Sequence, residues 1–438
     1  MALKSFTVAN YRSFLRPTTV ELRPLTLLFG YNNSGKSALL RVLPLLANSV
    51  GEPRGAPLNL DSPAVRGAAF RELCSQLNPN QRHIDFTLEW DGASGLRSVR
   101  SYQFRVREQP GAQGEVMPPV VEHFDTEFFD QHQDNASYFK GRWQPRNVME
   151  QARYDTRAKY QGPESEEEAD ILDLAFRGIK PSAEPTPPAH WMAFTSLGMQ
   201  LNELRDEVQW LGSIRQLPNR SLEFRGSAPA RLKENGAGVL EMLVQDKLQG
   251  GALLATLSAW FEKHTRQRLE VSAVAPRYYA LTLGPLASPG VRVNVIDTGE
   301  GMAQVLPVLV AAAQARIQGS ASTLTAIEQP ELHLHPKLHE ALADFFCVTA
   351  MRENAPCALI ETHSENFLQG IQLAIVQGRL DPQRVALYWV QQIDDGSSTL
   401  ELITFNDKGQ PSHWPPGVFS EDTELARRIL KERWKEGT

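Results

Sequence analysis

The segment Gly30-Tyr-Asn-Asn-Ser-Gly-Lys-Ser37 constrains this chain more than any other stretch. It fits GxxxxGK[ST] and stands between an apolar run, Leu25 to Phe29, and a helix-compatible run from Lys36 to about Asn48. Strand, glycine-rich turn and helix in that order open an α/β sheet and leave backbone N–H groups free to turn inward around phosphate oxygens. Lys36 then reaches the β- and γ-phosphates and Ser37 ligates magnesium. The expected phosphate cradle is Gly30, Asn32, Asn33, Ser34, Gly35, Lys36, Ser37 and Ala38, with ATP and Mg²⁺ as cofactors.

Further along the chain, helix and strand patterns alternate. A helix from Met302 to Ile317 precedes a strand at Thr323 to Ile327, a helix from Lys337 to Ala350, a strand at Cys357 to Ile360 and a helix from Glu365 to Val376. Strands at Val385 to Val390 and Thr399 to Phe405 follow. Such alternation implies crossover units and a mainly parallel sheet. Near the N-terminus, Lys4 to Val8 and Thr18 to Leu22 read as strands, and HIDFTLEW and VRSYQFRVR alternate apolar and polar residues, which adds an antiparallel sheet beside the core. From Glu108 the character changes. Charged segments, the acidic run ESEEEAD and the cluster Pro181, Pro185, Pro187 and Pro188 read as a mainly helical insertion. Regular structure resumes at EVQWLGSIRQLPNR, with helices at Gly238 to Leu248 and Leu253 to His264 and strands near 269–283 and 291–296. The expected division is a first core part, 1–107, an insertion, 108–205, a second core part, 206–405, and a tail with a charged helix, 406–438.

The 438 residues suffice for one large α/β domain with insertions, and 42% hydrophobic with 22% charged residues is a globular balance. Cys74, Cys347 and Cys357 are odd in number and lack CxxC spacing, so neither a disulfide framework nor a zinc knuckle is expected. The opening MALKSFTVANYRSF has no apolar signal region, and no uncharged apolar run is long enough to span a bilayer. A cytoplasmic chain without membrane contact is expected. A net charge of −6 argues against a wholesale nucleic-acid coat and confines any DNA binding to a local or dimer-dependent groove.

Leu324-Thr-Ala-Ile-Glu328 is an apolar strand closing on a carboxylate, the place of the acid that holds the magnesium's water shell. Glu328 is therefore expected as a metal residue together with Ser37. The next residues supply Gln329, Glu331, His333 and His335, a set without the further ligands that a transition-metal site needs. Glu361-Thr-His363-Ser364 is a polar turn after the next strand, where ligands of open α/β sheets bind, and His363 is placed to sense the γ-phosphate. Asp297-Thr-Gly-Glu-Gly-Met-Ala-Gln304 precedes an apolar helix and offers N–H groups to an anion. Arg215 and Arg220 read either as arginines at the nucleotide or as structural ones.

Taken in order, FGYNNSGKSALL, DTGEGMAQVLPVL, IEQPELHLHP and ETHSENF resemble the ATPases related to RecF and to the overcoming-lysogenization-defect (OLD) nucleases, within the ABC and SMC group. The closing WPPGVFSEDTELARRIL looks like a tail found on one uncharacterised branch of them. The resemblance implies an ABC-type P-loop head, with a mixed or parallel sheet, in which two protomers sandwich two ATP molecules as a homodimer or higher oligomer. Gly299, Gly301, Ala303 and Gln304 then match the signature segment that faces the partner's nucleotide, Glu328 the magnesium-binding acid and His363 the switch histidine. The catalytic set is Lys36, Glu328, Gln329, Glu331 and His363. Two positions depart from the pattern: Gln329 stands where a catalytic glutamate is usual, and Ala303 where serine is usual. Glutamine is no general base, so turnover is expected to be slow or to use Glu331.

OLD nucleases carry a nuclease domain after the switch histidine, whereas no DxD pair follows His363 here. The resemblance therefore implies an ATP-driven switch acting beside a separately encoded effector, as in prokaryotic phage defence. A RecF-like clamp on duplex DNA and an ATP-binding scaffold with little turnover are the two alternatives.

Overall fold

The burial of each strand follows its side-chain pattern. The computed structural model describes residues 2–51, 56–91, 98–109, 117–129, 137–144, 153–159, 167–182, 190–318, 323–415 and 427–428. Strands β1 (Leu3–Ala9) and β2 (Thr18–Glu21) form a hairpin. Strand β3 (Leu25–Phe29), buried throughout, leads through the glycine-rich turn into α1 (Lys36–Leu40) and α2 (Val42–Ser49). After α3 (Phe70–Leu73) come β4 (His83–Trp90), β5 (Val99–Arg107), β6 (Val120–Phe128), β7 (Ser137–Gln144), β8 (Arg153–Lys159) and β9 (Glu168–Asp173). A small hairpin of β10 (Ala175–Arg177) and β11 (Lys180–Ser182) precedes α4 (Trp191–Glu207) and β12 (Val208–Leu211). Next are β13 (Leu222–Glu223), α5 (Val239–Leu248), α6 (Ala252–Thr265), β14 (Gln267–Ala275), β15 (Tyr278–Pro285) and β16 (Val293–Asn294). The chain continues through α7 (Glu300–Gln318), β17 (Leu324–Glu328), α8 (Pro336–Ala350), β18 (Cys357–Glu361), α9 (Glu365–Val376), β19 (Val385–Gln392) and β20 (Ser398–Ile403).

A six-stranded sheet ordered β12-β17-β18-β3-β19-β20 carries the glycine-rich turn at its centre. All its neighbours run parallel except β20, which pairs antiparallel with β19. Both faces are covered, so its inner strands read as continuous apolar runs. Leu25, Leu27 and Phe29 join Ile327, Ile360 and Leu387 in a core with α5 to α9. Leu28 on the opposite face joins Ala326, Leu359 and Tyr388 in a second core that includes residues of α1, α2 and α4. That second core is shared with an eight-stranded antiparallel sheet ordered β2-β1-β4-β5-β6-β7-β8-β9.

Over 108–205 the structure corrects the expected helical insertion: β6 to β9 continue the sheet of β4 and β5, and α4 is the one α-helix among the described residues there. The reason is period-two burial hidden under high charge. Val121, Phe124, Phe128, Phe139, Tyr154 and Ala158 all face inward. Between them, charges pair across strands, as in Lys140–Asp125 at 2.9 Å and Arg153–Asp173 at 2.8 Å. Tyr154 is thus a core residue, and Trp143 packs against that core. Pro185, Pro187, Pro188 and nearly all of the expected tail helix lie outside the described residues. The helix expected from Lys36 is interrupted at Arg41, which separates α1 from α2. Among the described residues the three cysteines are free, and no helix is long and apolar enough to cross a membrane.

Candidate nucleotide site

The turn after β3 is held by backbone that only particular residues accept. Gly30 lies so close to β19 that a Cβ would sit 2.1 Å from the Val390 carbonyl oxygen. Gly35 is left-handed, φ 99°, with Ser13 and Phe14 of the β1–β2 connection against it. Asn33 is also left-handed, at φ 66°, and Asn32 and Asn33 are exposed. Ser398 at the start of β20 donates to the Ser34 carbonyl at 2.7 Å, which ties the turn to the sheet's far edge. Ala38 packs half-buried against the core behind.

Lys36 folds back over this turn. Its Nζ donates to the carbonyls of Gly30 at 2.9 Å and Tyr31 at 2.6 Å and to Ser34 Oγ at 3.3 Å. Burial pushes its pKa down to about 8, against the pull of the nearby Glu361 carboxylate. A buried ammonium hydrogen-bonded to carbonyl and hydroxyl dipoles is placed to take an anion.

Two carboxylates close adjacent parallel strands, with Glu328 of β17 in register with Glu361 of β18. Glu328 is gripped by Arg41, whose Nε and Nη2 donate to its two oxygens at 2.6 and 2.5 Å. The Trp210 indole donates to the same carboxylate at 3.2 Å. It is Glu361 that meets the P-loop: Ser37 Oγ donates to its Oε1 at 2.8 Å. Burial raises the pKa of Glu361, with Ser37 acting the other way. Ser37 and Glu328, the two expected magnesium residues, lie at the same end of the sheet, and the hydrogen bond of Ser37 goes to Glu361. Glu361, Arg41 and Trp210 are site residues that the sequence pattern does not single out.

Past β17, Gln329 takes a left-handed φ of 43° and donates its N–H to the Glu361 carbonyl at 2.8 Å. Glu331 Oε1 accepts from Thr362 Oγ1 and from the His363 N–H, both at 2.9 Å, so it orders the turn that carries His363. Burial and then Lys36 push His363 down to about 4, which leaves a neutral imidazole at neutral pH. Arg215 donates from Nη2 to the carbonyls of Glu328 and, at 3.0 Å, Gln329, while its own carbonyl accepts from Gln304 at 2.8 Å. It is a buried brace of the acidic turn. Arg220 is exposed and pairs with Asp297 at 2.8 and 2.9 Å.

Of the expected signature residues, Gly299 is exposed at φ 104° and Gly301 is half-buried, where a Cβ would lie 2.4 Å from the His333 carbonyl oxygen. Ala303 and Gln304 are buried. His335 caps α8 by accepting from the Lys337 N–H at 3.2 Å. No group of three or more metal-ligating side chains occurs among the described residues. His339, unremarked in the sequence, bridges Ser364 Oγ at 2.7 Å and the Leu334 carbonyl at 3.1 Å, joining the two turns behind the site.

The site's two halves match two family models. Residues 1–85 match an AAA ATPase domain, and residues 261–369 match a family described as an AAA domain, putative AbiEii toxin, Type IV TA system. No curated protein matches the chain. Among solved structures, the chain is similar to an SMC head bound to the C-winged helix domain of ScpA, with 10% identity, a TM-score of 0.46 and coverage of 92% of this chain and 98% of that one. It is also similar to the SMC head domain from Thermotoga maritima, with 12% identity, a TM-score of 0.36 and coverage of 92% and 99%. The glycine-rich turn and the parallel sheet it opens from give the core an α/β P-loop arrangement, and the two matched families are both described as AAA domains, the first as an AAA ATPase domain.

Proposed function

We propose that this chain binds Mg·ATP at the turn between β3 and α1 and hydrolyses it slowly to switch a homodimer or higher assembly. The observation that carries this reading is Lys36, lying over the glycine-rich turn with its ammonium on the Gly30 and Tyr31 carbonyls. A triphosphate offers that ammonium stronger acceptors than two carbonyls, so binding moves Lys36 from the turn to the phosphates. Gly30, Asn32, Asn33, Ser34, Gly35 and Ala38 supply the surrounding backbone, and Gly299 and Gly301 are the accessible part of the segment that would face a partner's nucleotide.

The fit for magnesium rests on Ser37 Oγ together with one of the two strand-end carboxylates beside it, Glu328 or Glu361, of which Glu361 is the one Ser37 touches. When bound, magnesium neutralises phosphate charge. Gln329, in its left-handed conformation, cannot take a proton from water, while Glu331 spends one oxygen on the His363 turn. Neutral His363 can accept or donate at the γ-phosphate without adding charge. These features support slow turnover.

A cytoplasmic regulator of a prokaryotic phage-defence system, acting with a separately encoded effector and without membrane contact, is the biological reading. The toxin–antitoxin wording of the second family match favours it. The core would be 1–107 with 206–405, the 108–205 segment would carry specificity and 406–438 would be the tail.

Hydrolysis and molar mass by light scattering test the switch on wild type and Lys36→Ala, with and without duplex DNA. Wild type hydrolyses ATP and changes mass, and Lys36→Ala does neither. Binding without turnover or mass change sinks the switch in favour of the scaffold, and stimulation by DNA moves the reading to a DNA clamp.

A further inference from the structure

Glu328 and Glu361 end neighbouring strands in register, yet their surroundings differ completely. Both oxygens of Glu328 are taken by the Arg41 guanidinium, at 2.6 and 2.5 Å, and Arg66 Nη2 stands 3.9 Å away. Its charge is already balanced by a buried cation. Glu361 is 3% exposed, gives Oε1 to the Ser37 hydroxyl at 2.8 Å, and keeps Oε2 buried with no hydrogen-bond partner. A carboxylate oxygen stripped of water and left unpaired is costly unless a cation comes to it. The hydroxyl beside it is the one a P-loop offers to magnesium.

We propose that Glu361, rather than Glu328, is the carboxylate that joins Ser37 in holding the divalent cation of the bound nucleotide. Glu328 is then a positioning residue, fixing Arg41 in the break between α1 and α2 and Trp210 on β12. The strand next to the P-loop strand brings its own acid to the metal, and the acid one strand farther out is held away by arginine. This inference rests on the nucleotide reading above.

The test follows free Mn²⁺ by electron paramagnetic resonance in the presence of a non-hydrolysable ATP analogue, alongside binding of the same analogue in EDTA. Glu361→Gln is nearly isosteric, keeps an acceptor for Ser37 and is expected to weaken Mn²⁺ binding by about tenfold or more while metal-free affinity stays within about twofold. The double variant Glu328→Gln/Arg41→Gln removes the other pair as a unit, which avoids an unpaired buried arginine, and is expected to retain Mn²⁺ affinity within about threefold. Unchanged Mn²⁺ binding in Glu361→Gln overturns the proposal, as does an equal loss in the double variant. Wild type that fails to bind the analogue with or without metal overturns the nucleotide reading itself, a separate outcome.

Discussion

Lys36 is the residue on which the proposed chemistry turns. Its ammonium is buried against carbonyls, and burial holds its pKa at about 8 instead of 10.5. Because that value is depressed, the unfolded chain holds more protons than the folded one between those two pH values. Lys36 therefore opposes folding below pH 8, and its penalty fades as pH rises through that window. Phosphate oxygens would restore the charged form, so ATP binding near pH 8.5, about half a unit above the free value, should draw a proton from the buffer. Calorimetric titrations in buffers of different ionisation enthalpy measure that proton directly. A binding heat independent of buffer would mean that Lys36 does not meet the phosphates.

At the scale of elements, the strand ends and the helix break carry the site. Arg41 lies between α1 and α2 and reaches across to Glu328 on β17, with side chains 8% and 1% exposed. Removing one partner of such a pair strands a buried charge, so Arg41→Met should cost about 3–5 kcal/mol in denaturant unfolding, and adding Glu328→Gln should recover most of it. A single variant as stable as wild type would show that the ion pair does not organise this end of the sheet. The P-loop, β17, β18 and the helices between them are legible in the sequence because apolar runs bounded by glycine, proline or charge leave few alternatives. The break at Arg41 is harder to see in KSALLRVLPLLANS, where the continuous apolar run hides its cause. Pro44 has no N–H for the Leu40 carbonyl and its ring crowds that oxygen, which ends α1 there. Glu361 reads as part of a polar turn because it precedes Thr-His-Ser, whereas pairing with β3 carries β18 one residue further and brings its carboxylate to Ser37. The strands β6 to β9 are masked because cross-strand ion pairs make their exposed face as charged as a solvated helix. The buried Phe124, Phe139 and Tyr154 are spread thinly among those charges.

The whole molecule places a parallel sheet between two cores, with the eight-stranded antiparallel sheet extending from the side of α1, α2 and α4. The glycine-rich turn, the ends of β17 and β18 and the turn held by Arg215 and His339 meet at one end of that parallel sheet, where open α/β sheets take their ligands. Gly299 and Glu300 stand exposed at the start of α7, next to Gly301 that packs on the turn after β17. In the proposed function, the turn binds the phosphates of ATP through Lys36. Calorimetric titration of Mg·ATP into wild type and Lys36→Ala tests it most directly. Wild type should bind saturably and Lys36→Ala should bind about ten- to a hundredfold more weakly, the worth of one charge-assisted hydrogen bond. Equal affinity in the two proteins, or no binding in wild type, would contradict the account.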